Sequence, residues 1–304
     1  HRAGGPATWE EEYYRGPKDN LMYTDNQTEI YMRGEEGAIS TPPRIAEIVK
    51  EIDRSGRTGW DGLFWKKQHE SFEQFMQSKN LYPYFGSIDS LTRALGDASF
   101  DHQGRRIQGM RMQDVGDAYA INGWEAMPYD NHSGVVDIYR NPKGNLSTLT
   151  YYTQPLYVAV SSRAQFACIP GKVGVDFHLV NEKNLTGEHR LLVTVCAQDG
   201  KEQRCVEKEV RVSGGDCFGQ LLLEDCELDI SGTPGMYTIH AQLLDTSGQV
   251  RAEGRDEVLG VSWRKEQLAG KGALYAATDD PVATFYQKAT GRSLPAFRPD
   301  MEKL

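Results

Sequence analysis

Apolar residues in the first half of the chain recur at helical spacing, and from residue 154 onward the pattern changes to short alternating runs. After Pro42 the segment PPRIAEIVKEI places Ile45, Ile48, Val49 and Ile52 on one helical face. A proline at a helix start costs nothing, because the N–H it lacks would have no intrahelical acceptor there. Further helices are predicted over Trp65–Lys79 and Gly104–Asp114, and the short apolar runs Glu29–Met32 and Ala118–Ile121 read as buried strands. Strand, loop, helix, loop, strand is the alternation of an α/β protein, and it fills residues 1–150.

Residues 151–262 carry β patterning, with runs at Val173–Val180, Arg190–Cys196, Cys205–Val212, Tyr237–Leu244 and Asp256–Val261. Turn residues separate them: Pro170-Gly171, Asn184, Asp199-Gly200, Gly214-Gly215 and Ser247-Gly248. Short strands at this spacing predict an all-β immunoglobulin-like sandwich. No Cys–Trp–Cys signature is present, so an antibody-type domain is not implied. Residues 263–304 return to mixed character, with one short helix predicted over Pro281–Thr290. They are too few for a third domain and read as a linker, the start of a further domain, or a segment draped over the sandwich.

Composition narrows the partners. A hydrophobic share of 39% supplies apolar material for two cores. The 43 acidic residues outnumber the 34 basic ones, giving a net charge of −9 without a basic cluster. Nucleic acid and anionic membranes are therefore disfavoured partners. No apolar run approaches the ~20 residues that cross a bilayer, and the opening HRAGGPATWE lacks the apolar segment of a signal peptide. The five cysteines, Cys168, Cys196, Cys205, Cys217 and Cys226, form no CxxC pair, and the histidines are scattered, so no metal site is expected. Cys196 and Cys205 flank the Asp199-Gly200 turn. They could be bridged across a hairpin, or all five could be core thiols.

Two stretches carry candidate chemistry. In EIYMRGEEGAISTPPR (Glu29–Arg44) an apolar strand runs into Gly34-Glu35-Glu36-Gly37 before a proline-started helix. In α/β barrels functional residues sit where strands end and loops begin. Glycines beside a carboxylate allow a substrate to approach the backbone, although Glu35 and Glu36 could equally be solvated loop acids. The second stretch, YAINGWEAMPYDNHSGVVDIYRNPK (Tyr119–Lys143), ends a strand at Asn122-Gly123-Trp124. Trp124 offers a flat apolar face to a sugar ring or belongs to a core. Asp130, Asn131 and His132 supply hydroxyl-binding groups or a turn. All but one of the five tryptophans fall in residues 1–150, and Trp60 is a further candidate sugar platform among them.

SGVVDIYRNPK resembles the segment after the last barrel strand in glycoside hydrolase family 2, the β-galactosidase/β-glucuronidase family. There a G-hydrophobic-hydrophobic-D-x-x-R-x-P-K pattern recurs. The preceding NGW resembles the end of that strand, and GEEGA resembles the family's S-E-[YF]-G-A element, whose Glu is the catalytic nucleophile. The resemblance puts Glu35 in the nucleophile place and Glu36 in the aromatic one, with Gly34 and Glu36 departing from the commoner residues. It covers roughly residues 20–260 and is strongest over 131–160.

The resemblance implies the C-terminal strands and helices of a TIM-type α/β barrel followed by the immunoglobulin-like sandwich. It implies hydrolysis of β-glycosidic bonds by double displacement, with no metal or organic cofactor. It further implies export to the periplasm or the outside of the cell. An intact barrel takes about 250 residues, more than residues 1–150 provide. The family's acid/base lies in an Asn-Glu motif before the nucleophile, whereas the Asn-Glu pair here, Asn181-Glu182, falls in the sandwich. The run Glu10-Glu11-Glu12 reads as a solvated helix face. The expectation is half an active site, inactive alone, whose partner is the missing N-terminal barrel half or a second copy. The competing reading is a non-catalytic carbohydrate-binding or structural assembly module. No GxSxG elbow, GxxxxGK[ST] loop or GxGxxG turn points to another enzyme class.

Overall fold

The computed structural model describes residues 30, 32–36, 40–56, 58–114, 116–121, 123–126, 134–262, 273 and 281–298. Its first part is a two-stranded parallel sheet with helices between the strands. Strand β1 (Met32–Glu36) is followed by helices α1 (Ile45–Ser55), α2 (Gly62–Ser78), α3 (Tyr82–Phe85) and α4 (Ile88–Arg111), and then by β2 (Ala118–Ile121). The strand expected over Glu29–Met32 lies later, at Met32–Glu36, so part of the glycine-flanked acidic segment is strand rather than loop.

Helix α1 forms where the isoleucine spacing predicts it: Ile45, Ile48 and Ile52 are buried and pack with Trp65 of α2. It ends at Gly56, whose φ of 65° is the left-handed cap that glycine adopts without strain. Arg44 donates two 2.8 Å hydrogen bonds to the Asp89 carboxylate, tying the start of α1 to the start of α4. The sequence pattern finds only the end of α4, because Gly96 and Gly104 interrupt it. Both glycines are required by close packing. A Cβ on Gly96 would lie 2.3 Å from the Lys143 carbonyl oxygen, and one on Gly104 would lie 1.9 Å from the Tyr152 ring. Close packing outweighs the helix penalty of glycine at these positions.

After the short helix α5 (Leu146–Tyr152), eight strands form a sandwich: β3 (Leu156–Ser162), β4 (Phe166–Cys168), β5 (Gly171–Asn181), β6 (Gly187–Ala197), β7 (Glu202–Val212), β8 (Gly219–Ile230), β9 (Gly235–Leu244) and β10 (Val250–Val261). One sheet has the order β4-β10-β9-β6-β7 and the other β3-β5-β8. Pairing is antiparallel except between β4 and β10. The inward residues of both sheets, among them Val158, Phe177, Leu191, Val193, Leu228, Ile239 and Val258, make one core. Alternating burial along β9 and β10 is what the period of two predicts.

No disulfide joins any of the five cysteines. The bridge considered between Cys196 and Cys205 is not formed, because in the β6–β7 ladder Cys196 stands opposite Glu202. Four of the thiols are half-buried and Cys168 is exposed, so they are not deep core thiols either. Helix α6 (Pro281–Thr290) forms with the predicted bounds. Among the described residues no helix is long and apolar enough to cross a membrane.

The C-terminal half of α4 docks on the sandwich through polar contacts. Gln108 Nε2 donates to the Val160 carbonyl at 3.2 Å. Buried Arg111 donates to the carbonyls of Tyr152 and Gln154 at 2.6 and 2.7 Å, and to the Glu182 carboxylate at 2.6 Å. The Met112 carbonyl accepts from His178 Nδ1 at 2.8 Å. These bonds fix the helical part to the sandwich, although Gln108 Oε1 and His178 Nε2 stay buried without a hydrogen-bond partner among the described residues.

Candidate functional site

The site begins with the parallel pairing of β1 and β2, which sets Gly34, Glu35 and Glu36 beside the strand that ends at Ile121. Met32 is paired with Ala118, Arg33 with Tyr119 and Glu36 with Ile121. From Arg33 to Glu36 the ladder advances only from Tyr119 to Ile121, so the Gly34-Glu35 segment carries an extra residue. Irregularities of this kind re-aim side chains and recur beside active sites. Ile121 packs on Phe100, Val135, Val136 and Leu149, which anchors this end of the sheet to α4 and to the segment after Trp124.

Trp124 follows Gly123, whose φ of 75° turns the chain out of β2. Its side chain is 63% exposed, so the core reading of this residue is not what the structure adopts. Its carbonyl accepts from the N–H groups of Val135 and Val136 at 3.0 Å each. Trp60 is also exposed, in the turn between α1 and α2. That turn follows the C-terminal end of α1, roughly 16 Å of helix away from the end that follows β1. Asn131 and His132 lie outside the described residues.

The GVVDIYRNPK segment is a packed scaffold under this strand end. Gly134 is required, since a Cβ there would lie 2.4 Å from the Ala126 amide nitrogen. Asp137 is fully buried and holds the turn closed. Its Oδ1 accepts from the N–H groups of Tyr139 and Asn141 at 2.8 and 2.9 Å, and its Oδ2 accepts from Asn141 Nδ2 at 3.0 Å. Arg140 forms an ion pair with Glu125, which follows Trp124 directly. Lys143 is wholly buried, and desolvation pulls its amine down to about 8. Its amide donates to the Val135 carbonyl at 3.1 Å.

A concavity lies apart from this strand end, at the junction of α4, α5 and β10. Its volume is about 210 Å³, and its walls include Asp101, Arg105, Ser147, Tyr151, Arg255 and Asp256. The sequence pattern gave no sign of it, because these residues converge only through the docking of α4 on the sandwich. Among the described residues no group of three or more His, Cys, Asp or Glu side chains could hold a metal ion.

No family model and no curated protein matches the chain. Several solved structures do. Solved structures similar to the chain include a member of glycoside hydrolase family 2. That protein, from Bacteroides cellulosilyticus, is 18% identical, with a TM-score of 0.27 over 35% of this chain and 16% of its own. A β-D-mannosidase from Dictyoglomus thermophilum is 13% identical, with a TM-score of 0.44 over 74% of this chain and 27% of its own. The exo-chitosanase CsxA of Amycolatopsis orientalis is 12% identical, with a TM-score of 0.37 over 58% of this chain and 20% of its own. The chain thus spans between 16% and 27% of the length of these structures.

Proposed function

We propose that this chain is the C-terminal part of a retaining glycoside hydrolase of family 2, in which Glu35 is the nucleophile. The observation that carries the reading is the register of β1 against β2. It sets the end of the Glu35 strand beside the strand that delivers Trp124, in a parallel sheet of the kind whose C-terminal ends carry barrel active sites. The strand that contains Glu35 and the strand that precedes Trp124 thereby run side by side, with Glu36 paired to Ile121.

In this reading the Glu35 carboxylate attacks the anomeric carbon and forms a glycosyl ester. A carboxylic acid about 5 Å away protonates the leaving oxygen, then deprotonates the water that releases the sugar. The attacking group has to stay ionised while the acid keeps a raised pKa. The acid belongs to barrel strands outside this chain, so the 304-residue chain alone does not turn over glycosides. Substrates are β-linked sugars such as galactosides, glucuronides or mannosides, handled in the periplasm or outside the cell.

The test uses the enzyme expressed from its complete gene and a panel of aryl β-glycosides. Glu35→Gln is expected to lower kcat on the order of 10⁴-fold, and Glu36→Gln far less. An activated 2-fluoro glycoside is expected to label the Glu35 peptide. A label on Glu36 or elsewhere, or brisk turnover by the isolated chain, sinks the assignment.

A further inference from the structure

We propose that Cys205 of β7 and Cys226 of β8 form a disulfide that staples the two sheets of the sandwich across their open edge. This stands independently of the glycosidase reading. Strand β7 is the last strand of one sheet and β8 the last strand of the other, and a short turn through Gly214 and Gly215 joins them. Each cysteine stands seven residues from its strand end at Val212 or Gly219, and two register shifts shorten β8 against β5, so along the strands Cys226 lies about 5 Å nearer the turn than Cys205. Near the turn the edges are already laced together by Gln220, whose Oε1 accepts from the Ser213 N–H at 2.9 Å and whose Nε2 donates to the Arg211 carbonyl at 2.8 Å.

Both thiols face the same core. Cys226 is in phase with the buried Leu228 and Ile230. Cys205 would point outward if β7 alternated strictly, because its neighbour Val206 is turned to the core. The ladder with β6 instead pairs Val206 with Val193 and Arg204 with Thr194, leaving Cys205 as the extra residue of a bulge. The bulge lets Cys205 and Val206 both pack on the sandwich core, where Cys226 packs too. Burial raises both thiols above the ordinary range, and Cys205 is near enough to Cys226 to push it further. Cys196 is a poor alternative. Its register partner is Glu202, which leaves Cys205 about 8 Å further along the strand, beyond the ~7 Å Cα separation a disulfide spans.

The oxidant is a low-molecular-weight disulfide such as oxidised glutathione. The thiolate of one cysteine attacks a glutathione sulfur, forming a mixed disulfide and releasing one glutathione. The second cysteine then attacks the mixed disulfide, closing the Cys205–Cys226 bond and releasing the other glutathione. The two thiol protons end on the two glutathiones, and the two electrons reduce the glutathione disulfide.

The protein, reduced, desalted and left folded, is incubated with oxidised glutathione, alkylated and peptide-mapped without reduction. The expected product is one Cys205–Cys226 linked peptide pair, with a higher urea midpoint than the reduced protein. Cys196→Ser leaves the link in place, and Cys205→Ser abolishes it. Separate glutathione adducts on Cys205 and Cys226 without a link, or a Cys196–Cys205 pair, overturn the proposal. The wild-type map decides this even where a serine variant folds poorly.

Discussion

Arg105 of α4 donates a 2.8 Å hydrogen bond to the Asp256 carboxylate of β10, joining the helical part to the sandwich. Asp256 is nearly fully buried and also accepts from the Ser162 N–H at 3.0 Å. Arg105 bonds in addition to Asp101 of its own helix at 2.9 Å. One carboxylate therefore holds an α4 guanidinium and the end of β3 together.

Removing Arg105 leaves the buried Asp256 carboxylate without its countercharge, which is the costly case for ion pairs, whereas removing Asp256 leaves Arg105 bonded to Asp101. Arg105→Met is expected to lower unfolding free energy by about 3–5 kcal/mol, and Asp256→Leu by less. The double variant is expected to lose less than the sum of the two, since the uncompensated charge is gone. Urea unfolding of the four proteins measures the coupling. Additive losses would mean that the pair does not bind the two parts together.

His178 predicts an acid sensitivity. Its Nδ1 lies 2.8 Å from the Met112 carbonyl, which can only accept, so Nδ1 carries the hydrogen. Nε2 is buried and has no hydrogen-bond partner among the described residues. Desolvation lowers the imidazole to about 4, against an upward pull from Asp176. The unfolded chain takes up the proton near pH 6.5 and the folded one does not until about pH 4. Stability is thus complete above pH 6.5 and is lost progressively as pH falls toward 4. The loss amounts to about 3 kcal/mol over that window. His178→Gln should flatten this part of the urea-midpoint profile, and an unchanged slope would remove His178 as its source.

The sandwich was more legible in the sequence than the helical part, for physical reasons. Strands β6, β9 and β10 have one buried and one wet face, so their period of two is written in the residues. Helix α4 was half hidden because Gly96 and Gly104 serve neighbours remote in sequence, Lys143 and Tyr152. The order of the two strands was read from the motifs, whereas their pairing and the extra residue at Gly34-Glu35 depend on the partner strand and have no local signal. The junction cavity and the Arg105–Asp256 pair arise from docking alone.

Asp137 separates resemblance from chemistry. It is the aspartate of the motif that carries the family likeness, yet it is fully buried and its oxygens are used by Tyr139 and Asn141. Asp137→Ala strands those donors and is expected to cost about 2–4 kcal/mol, while Asp137→Asn keeps part of the turn and costs less. In the complete enzyme at low temperature, kcat should fall far less than with Glu35→Gln. A kcat loss equal to that of Glu35→Gln, without loss of stability, would place Asp137 in the chemistry.

Trp124 distinguishes the hydrolase from a binding module. With 63% of its surface exposed it contributes little to folding, so Trp124→Ala should shift unfolding free energy by no more than about 0.5 kcal/mol. An aromatic platform for a sugar ring is worth about 0.5–1.5 kcal/mol, so loss of the ring should raise KM between about two- and tenfold. The two readings part on the combination with Glu35. In the hydrolase, Glu35→Gln removes turnover and keeps saccharide binding, whereas Trp124→Ala weakens binding and keeps most of kcat. In a binding module, Glu35→Gln changes nothing. Affinity electrophoresis of the isolated chain in a soluble polysaccharide gel, beside kinetics of the complete enzyme, reads both quantities. Retardation of the isolated chain that survives Glu35→Gln and disappears in Trp124→Ala, with no glycosidase activity from the complete gene, would replace the catalytic reading with the binding one.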